Sequence, residues 1–159
     1  MNAAIVVIPT YNEADNIRSI IEAVLALPIA TDVLVVDDNS PDGTATLVQE
    51  LKKKYSQVHL SVREKKEGLG PAYVHGFRWV LEKGYTYIFE MDADFSHPPQ
   101  ALVPMLALLE QKKTDIIVGS RYKKGIRVRQ WPLGRIVLSF GASLYVRLIT
   151  GLPVADATA

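Results

Sequence analysis

The chain has 159 residues, 48% hydrophobic and 22% charged, which is one domain's worth of globular sequence with enough apolar side chains for a real core. A net charge of +1 excludes a general electrostatic pull toward nucleic acid, and the absence of cysteine excludes a disulfide framework or a thiolate metal site. No signal-peptide pattern opens the chain and no stretch reaches the ~18 consecutive apolar residues of a membrane span, so a cytoplasmic domain is expected.

The run from Ala4 to Pro9 is continuously apolar and predicts a strand buried on both faces of a parallel sheet. In the loop Thr10–Glu13, Asn12 predicts a helix N-cap with Asp15 at the third helical position; Ile17, Ile20, Ile21, Val24 and Leu25 then recur with helical spacing. The same unit repeats. Residues 33–36 read as a second strand, ended by the turn-rich Asp37–Gly43 and followed by a helix carrying Leu47, Val48 and Leu51. Val58–Val62 alternates as a third strand, residues 63–70 loop out, and Tyr73, Val74, Phe77, Val80 and Leu81 mark a third helix.

Tyr85 to Asp94 is the stretch on which the reading turns: a hydrophobic run, taken as a buried central strand, that ends in Asp92-Ala93-Asp94. Pro98 and Pro99 open a fourth helix with Leu102, Val103, Leu106 and Leu109 inward, and Asp115–Ser120 predicts a fifth strand. This alternation predicts an α/β fold, a doubly wound, mostly parallel sheet with right-handed crossovers. Between Asp115 and Asp156 there is no acidic residue, whereas Arg121, Lys123, Lys124, Arg127, Arg129, Arg135 and Arg147 fall there. Within that basic segment Trp131, Ile136, Val137, Phe140, Leu144, Leu148 and Ile149 share an apolar face broken by Arg135 and Arg147. Such a helix suits an anionic lipid surface or, equally, a final core-packing role.

In an extended chain residues i and i+2 point to one side, so Asp92 and Asp94 converge at the sheet edge where open α/β folds bind ligands. Two carboxylates on one spot repel unless a cation lies between them. Mg²⁺ or Mn²⁺ uses one or two carboxylates and draws its remaining ligands from water and phosphates, so a metal-held diphosphate is the expected guest. The loops after the first two strands should reach the same edge, offering Tyr11 for stacking and Glu13 and Asp38 as acceptors for a base or ribose; Asp37 serves equally well as a turn cap. G-x-G-x-x-G and G-x-x-x-x-G-K are both absent, which disfavours a dinucleotide dehydrogenase or P-loop enzyme and leaves the diphosphate charge to the metal. His59, His75 and His97 carry no catalytic assignment, His97 being read as part of a helix start.

Five ordered motifs carry a family resemblance: Val7-Ile-Pro-Thr-Tyr-Asn-Glu13, Val36-Asp-Asp-Asn-Ser-Pro-Asp-Gly-Thr44, Gly68-Leu-Gly70, Met91-Asp-Ala-Asp-Phe-Ser-His-Pro-Pro99 and Gly119-Ser-Arg-Tyr122. Together they resemble a family 2, GT-A-fold glycosyltransferase over essentially the whole chain, most of all the dolichol-phosphate (polyprenol-phosphate) mannose synthases. The resemblance implies a GT-A, Rossmann-like sheet with a C-terminal basic amphipathic helix. It places a nucleotide-sugar-binding core at residues 1–125 and a basic, apolar acceptor- and membrane-facing segment of the same domain at 126–159. The implied activity is inverting transfer of mannose from GDP-mannose to a polyprenyl or dolichyl phosphate with Mg²⁺ or Mn²⁺, at the cytoplasmic face of a membrane. UDP-glucose or another donor, and a nucleotide-binding module without turnover, stay open as alternatives.

By motif, Pro9, Tyr11, Glu13, Val36, Asp38, Asp92 and Ala93 would hold the nucleotide, and Asp92, Asp94 and Ser96 the metal. Arg121, Arg135 and Ser139 would hold the acceptor phosphate, with Asp94, Arg121 and Arg135 acting in catalysis. Family members often carry Gln where Ser96 stands. Asp156-Ala157-Thr158 resembles the family's D-C-T with Ala157 at the cysteine, and the G-F that follows it in the family lies past the last residue here. A longer parent with an anchor, or a membrane-anchoring partner, is therefore expected.

Overall fold

The computed structural model describes residues 2–111, 114–120, 133–151 and 156. The chain forms two compact units, Met1–Lys112 and Lys113–Ala159. In the first, strands β1 (Ala4–Thr10), β2 (Thr31–Asp37), β3 (Val58–Val62) and β4 (Tyr87–Glu90) pair in parallel in the order β3-β2-β1-β4. Helices α1 (Ile17–Leu25), α2 (Thr44–Lys54) and α3 (Leu69–Lys83) connect them, and a 3-10 turn at Pro99–Ala101 leads into α4 (Leu102–Glu110).

Alternation along β1 divides the core in two. Ala4, Val6 and Ile8 pack with Ile17, Ile20, Ile21 and Val24 of α1, Val48 and Leu51 of α2, and Leu102 and Leu106 of α4. Ile5 and Val7, with Leu34 and Val36 of β2, face α3 through Ala72 and Val80. The chain steps from β1 to β3 in one direction and then returns to the far side of β1. Right-handed crossovers place the outgoing and returning helices on opposite faces, which is the doubly wound arrangement expected.

Three readings are corrected. Asn12 does not cap α1; it takes a left-handed backbone (φ 61°), and the helix begins at Ile17 because the Glu13 carbonyl accepts the N–H groups of Asn16 and Ile17 at 3.0 and 2.9 Å. On α3, Val74 and Leu81 are 48% and 66% exposed. Small residues decide the face: a Cβ on Gly76 would stand 2.7 Å from Val7 Cγ1 and 3.2 Å from Val36 Cγ2, so α3 lies on the sheet along Ala72, Gly76 and Val80 with Tyr73, Phe77 and Trp79 flanking.

The fourth strand is short, half-buried and at the sheet edge, not central. Residues 115–120 form no strand, and Ile116 is 78% exposed. A β-branched run has strand propensity only where it meets a pleated partner, and among the described residues none pairs with it.

At the end of the sheet opposite the strand C-termini, the buried Asp32 accepts from Tyr85 Oη at 2.6 Å and Asn2 Nδ2 at 2.8 Å. His59 Nε2 lies 3.6 Å from the same carboxylate with its ring 5.1 Å from that of Trp79, a structural role. Burial and the hydrogen bond to Asp32 push the Tyr85 phenol well above its usual range.

In the second unit, α5 spans Leu133–Thr150. Val137, Phe140, Leu144, Leu148 and Ile149 of the expected apolar face are exposed, but so are Leu138 and Tyr145, while Ser143 is buried and donates to the Ser139 carbonyl at 3.0 Å. Trp131 and the side chains of Arg135 and Ile136 lie outside the described residues, as does the boundary expected after residue 125.

Gly76→Ala should lower stability. Overpacking against two stiff, β-branched valines costs about 1–3 kcal/mol, more than the ~1 kcal/mol gained by removing a helix-interior glycine. A lower urea midpoint for Gly76→Ala, partly restored by adding Val7→Ala, is the expected outcome; a raised midpoint would mean that α3 can lift off the sheet.

Candidate functional site

The sheet makes its site by stopping unevenly. Val7 faces β4, its carbonyl accepting Met91 N–H at 3.2 Å, while Thr10 faces β2, its carbonyl accepting Asp38 N–H at 3.0 Å. Alternation therefore turns Pro9 toward β4, which has already ended at Glu90, so the missing proline N–H breaks no pairing there. Strand order reverses between β1 and β4, the switch point at which open α/β sheets bind ligands. A cleft opens at that place. Its walls are Pro9, Thr10, Tyr11 and Glu13 after β1, Asp38 after β2, and Asp92, Ala93 and Asp94 after β4. Lys66, Gly68, Leu69 and Ala72 at the start of α3 complete it.

Hydrogen bonds sort the acids into framework and free groups. Asp37 is fully buried and accepts from Thr10 Oγ1, Ser40 N–H and Ser40 Oγ at 2.7 to 2.9 Å, so it is a turn cap. The loops after β1 and β2 are stapled by Asn12 N–H to Ser40 Oγ, Glu13 N–H to Thr44 Oγ1 and Ala14 N–H to Asp42 Oδ2, each at 3.0 Å. Burial pushes the Asp42 carboxyl up, but the bonds from Thr44 and Ala14 outweigh it and hold the group below the ordinary aspartate range. Glu13 keeps one oxygen on Asn16 Nδ2 at 2.9 Å. Asp38 meets the buried Arg63, whose Nη1 donates to Asp38 Oδ1 at 2.9 Å while Nη2 donates to Glu67 Oε2 at 2.7 Å. Arg63 was not foreseen; its only signal was a lone arginine directly after an alternating strand.

Asp92 and Asp94 lie in the turn past β4, so strand alternation is not what brings them together. Burial nonetheless alternates: Met91 and Ala93 are buried, Asp92 is half-buried and Asp94 is exposed, which turns both carboxylates to the cleft. Asp92 N–H donates to His97 Nδ1 at 3.3 Å, which gives His97 the task of shaping this turn. Tyr73 Oη donates to Asp92 Oδ1 at 3.5 Å, and burial together with the charges of Asp92 and Glu90 pushes its phenol far up. Burial raises Asp94, but hydrogen bonds from Ser96 N–H and Ser96 Oγ, both 2.9 Å, and the proximity of His97 leave it below the ordinary aspartate range. Ser96 thus spends its hydroxyl proton orienting Asp94. Glu90 moves the other way, raised by burial and by Asp92. Among the described residues the three non-glycine residues with left-handed backbones, Asn12, Asn39 and Phe95, all sit in these strand-end loops, where strain commonly accompanies a binding site.

Among the described residues no group of three or more His, Cys, Asp or Glu is placed to hold a metal. Asp92 and Asp94 fit an open site for a hard cation that takes its remaining ligands from water and phosphate. The positive end of α3, a 15-residue helix beginning at Leu69 on the cleft wall, adds a second attraction for phosphate. Val36 is fully buried beneath α3, and its side chain is off the cleft wall. Arg121 and the side chain of Arg135 lie outside the described residues, and Ser139 belongs to α5 in the second unit.

A family model described as "Glycosyl transferase family 2" matches residues 5–156. The chain is 44% identical over 156 residues to Polyprenol monophosphomannose synthase from Mycolicibacterium smegmatis, covering 98% of this chain and 58% of that protein. It is 41% identical over 153 residues to Undecaprenyl-phosphate mannosyltransferase from Micrococcus luteus, covering 96% of this chain and 62% of that protein. It therefore spans less than two thirds of either relative. The crystal structure of S. aureus TarS shares the fold with a TM-score of 0.59 and 23% identity, over 84% of this chain and 23% of that chain.

Arg63→Met should destabilise by about 3–5 kcal/mol, because it strands the buried Asp38 charge. Asp38→Asn in the same chain should recover a large part of the loss, since no uncompensated charge then remains. Urea unfolding of the two single variants and the double variant measures the coupling; simple additivity would show that the pair does not act as a unit.

Proposed function

Because the chain belongs to glycosyl transferase family 2, we propose that it carries the donor-binding part of an inverting mannosyltransferase that passes mannose from GDP-mannose to a polyprenyl phosphate. The carrying observation is the cleft at the switch point, which joins a base-sized end (Tyr11, Glu13, Asp38) to a diphosphate end (Asp92, Asp94 and the start of α3). The printed names of the relatives, a polyprenol monophosphomannose synthase and an undecaprenyl-phosphate mannosyltransferase, support the sugar and the acceptor class.

In this reading Tyr11 stacks on the base, and the Asp38 oxygen not taken by Arg63 accepts from a base or ribose donor. Asp92 and Asp94 hold Mg²⁺ or Mn²⁺, with Ser96 fixing the Asp94 rotamer. Such a cation, when bound, offsets the charge that builds on the departing diphosphate. No base is needed on the acceptor side, because a phosphate monoester with a second pKa of ~6 is already ionised at neutral pH. Arg121, Arg135 and Ser139 receive that phosphate, and arginine forks suit it geometrically. No described helix is long and apolar enough to cross a membrane, so we assign membrane contact to the exposed apolar residues of α5, peripheral on the cytoplasmic face.

Asp94→Asn should weaken GDP binding about ten- to a hundred-fold in Mn²⁺, the worth of one charge-assisted contact, and change little in chelator. Calorimetry with GDP and UDP under both conditions checks the metal role and the base together. An equal response of variant and wild type to Mn²⁺ removes Asp94 from the metal site, and tighter UDP than GDP binding reassigns the donor.

Arg135→Ala should lower transfer to a short, detergent-soluble polyprenyl phosphate about ten- to a hundred-fold without changing GDP affinity, with Lys restoring only part. A normal rate on the short acceptor with a defect confined to vesicles would move Arg135 from the reaction to the lipid surface.

A further inference from the structure

The cleft wall carries four carboxylates, Glu13, Asp38, Asp92 and Asp94, and one cationic side chain, Lys66. A diphosphate entering such a wall meets repulsion on most sides. Lys66 lies on the exposed loop between β3 and α3, with its Nζ 3.9 Å from the centroid of the Tyr11 ring. Its basic neighbours are committed elsewhere: Arg63 to Asp38 and Glu67, and Lys65 to Glu67 at 3.1 Å. Among the described residues Lys66 makes no ion pair, and its contact is with a neutral ring.

The geometry points to Lys66 as a further donor-binding residue, which rests on Tyr11 in the free protein and transfers its ammonium to the donor's diphosphate when a base takes the ring. Three features carry this. The loop's ends are fixed, by the Arg63 clamp on one side and on the other by Gly68, whose φ of 102° only glycine adopts readily at the start of α3, so the side chain can swing while the backbone stays. An exposed cation–π contact is weaker than a charge-assisted bond to a phosphate oxygen, so the exchange is favourable once a diphosphate is present. Tyr11 and Lys66 both line the cleft, and Tyr11 is the ring on which the proposed base stacks, so base binding and release of the lysine are linked. This deepens the donor-site reading above and rests on it.

The test is calorimetric titration of the whole chain in Mn²⁺ with GDP and guanosine, and with UDP and uridine, for wild type, Lys66→Met, Lys66→Gln and Lys66→Arg. Lys66 is exposed, so these variants should fold. Both neutral variants are expected to weaken the diphosphate about tenfold or more while leaving the nucleoside within about twofold, and Arg is expected to retain most of the diphosphate affinity. Equal losses for nucleoside and diphosphate would overturn the proposal in favour of a packing role. Equal gains would make Lys66 a lid on Tyr11, and no change would make it a solvated surface lysine. Wild type binding neither diphosphate would take down the donor-site reading as well, whereas normal wild-type binding with an unmoved ratio would take down Lys66 alone.

Discussion

Pairing between β1 and β4 stops at the hydrogen bond from Met91 N–H to the Val7 carbonyl, and the cleft exists because it stops there. β1 runs on to Thr10, held by β2 alone, and proline at position 9 requires no donor on the open side. Chain beyond Glu90 is released from the ladder and turns, carrying Asp92 and Asp94 to the cleft wall facing Tyr11 and Glu13. One missing stretch of ladder thus sets the width of the site and brings together residues some eighty positions apart.

Charge then governs what the cleft can hold. Acids that shape the loops, Asp37 and Asp42, are saturated by hydroxyl and backbone donors and have little capacity left for a ligand. Those on the wall keep free oxygens, and their mutual repulsion is eased on one side by the buried Arg63 behind Asp38. Near the D-x-D the environments diverge: burial and Asp92 raise Glu90, whereas hydrogen bonds from Ser96 lower Asp94. An electron-rich wall beside a helix N-terminus suits a metal diphosphate better than a bare phosphate or a bare cation.

The second unit follows other physics. Large apolar side chains on α5 stand in solvent in this monomer, a surface that normally marks contact with lipid or protein. In the function proposed above that contact is lipid, a role to which a segment without acids from 116 to 155 is suited.

Much of this was legible in the chain itself. Apolar runs of strand length followed by 3.6-residue periodicity sufficed for β1, α1, β2, α2, β3 and α4, because each pattern reports burial of a local face. The motif residues Pro9, Tyr11, Glu13, Asp38, Asp92, Ala93 and Asp94 do reach one cleft. Three things were settled only by tertiary contact. The inward face of α3 follows Gly76, since the closeness of helix and sheet depends on what stands beneath the glycine rather than on where the large apolar residues recur. The edge position of β4 follows from its backbone pairing with β1 in the order β3-β2-β1-β4, which the β propensity of one segment cannot report. Asp37, Asp38 and Val36 are neighbours in sequence, yet one is a turn cap, one faces the cleft on Arg63 and one lies under α3. Their types and spacing are local properties, whereas the donors and side chains that decide their roles arrive from other segments of the folded chain.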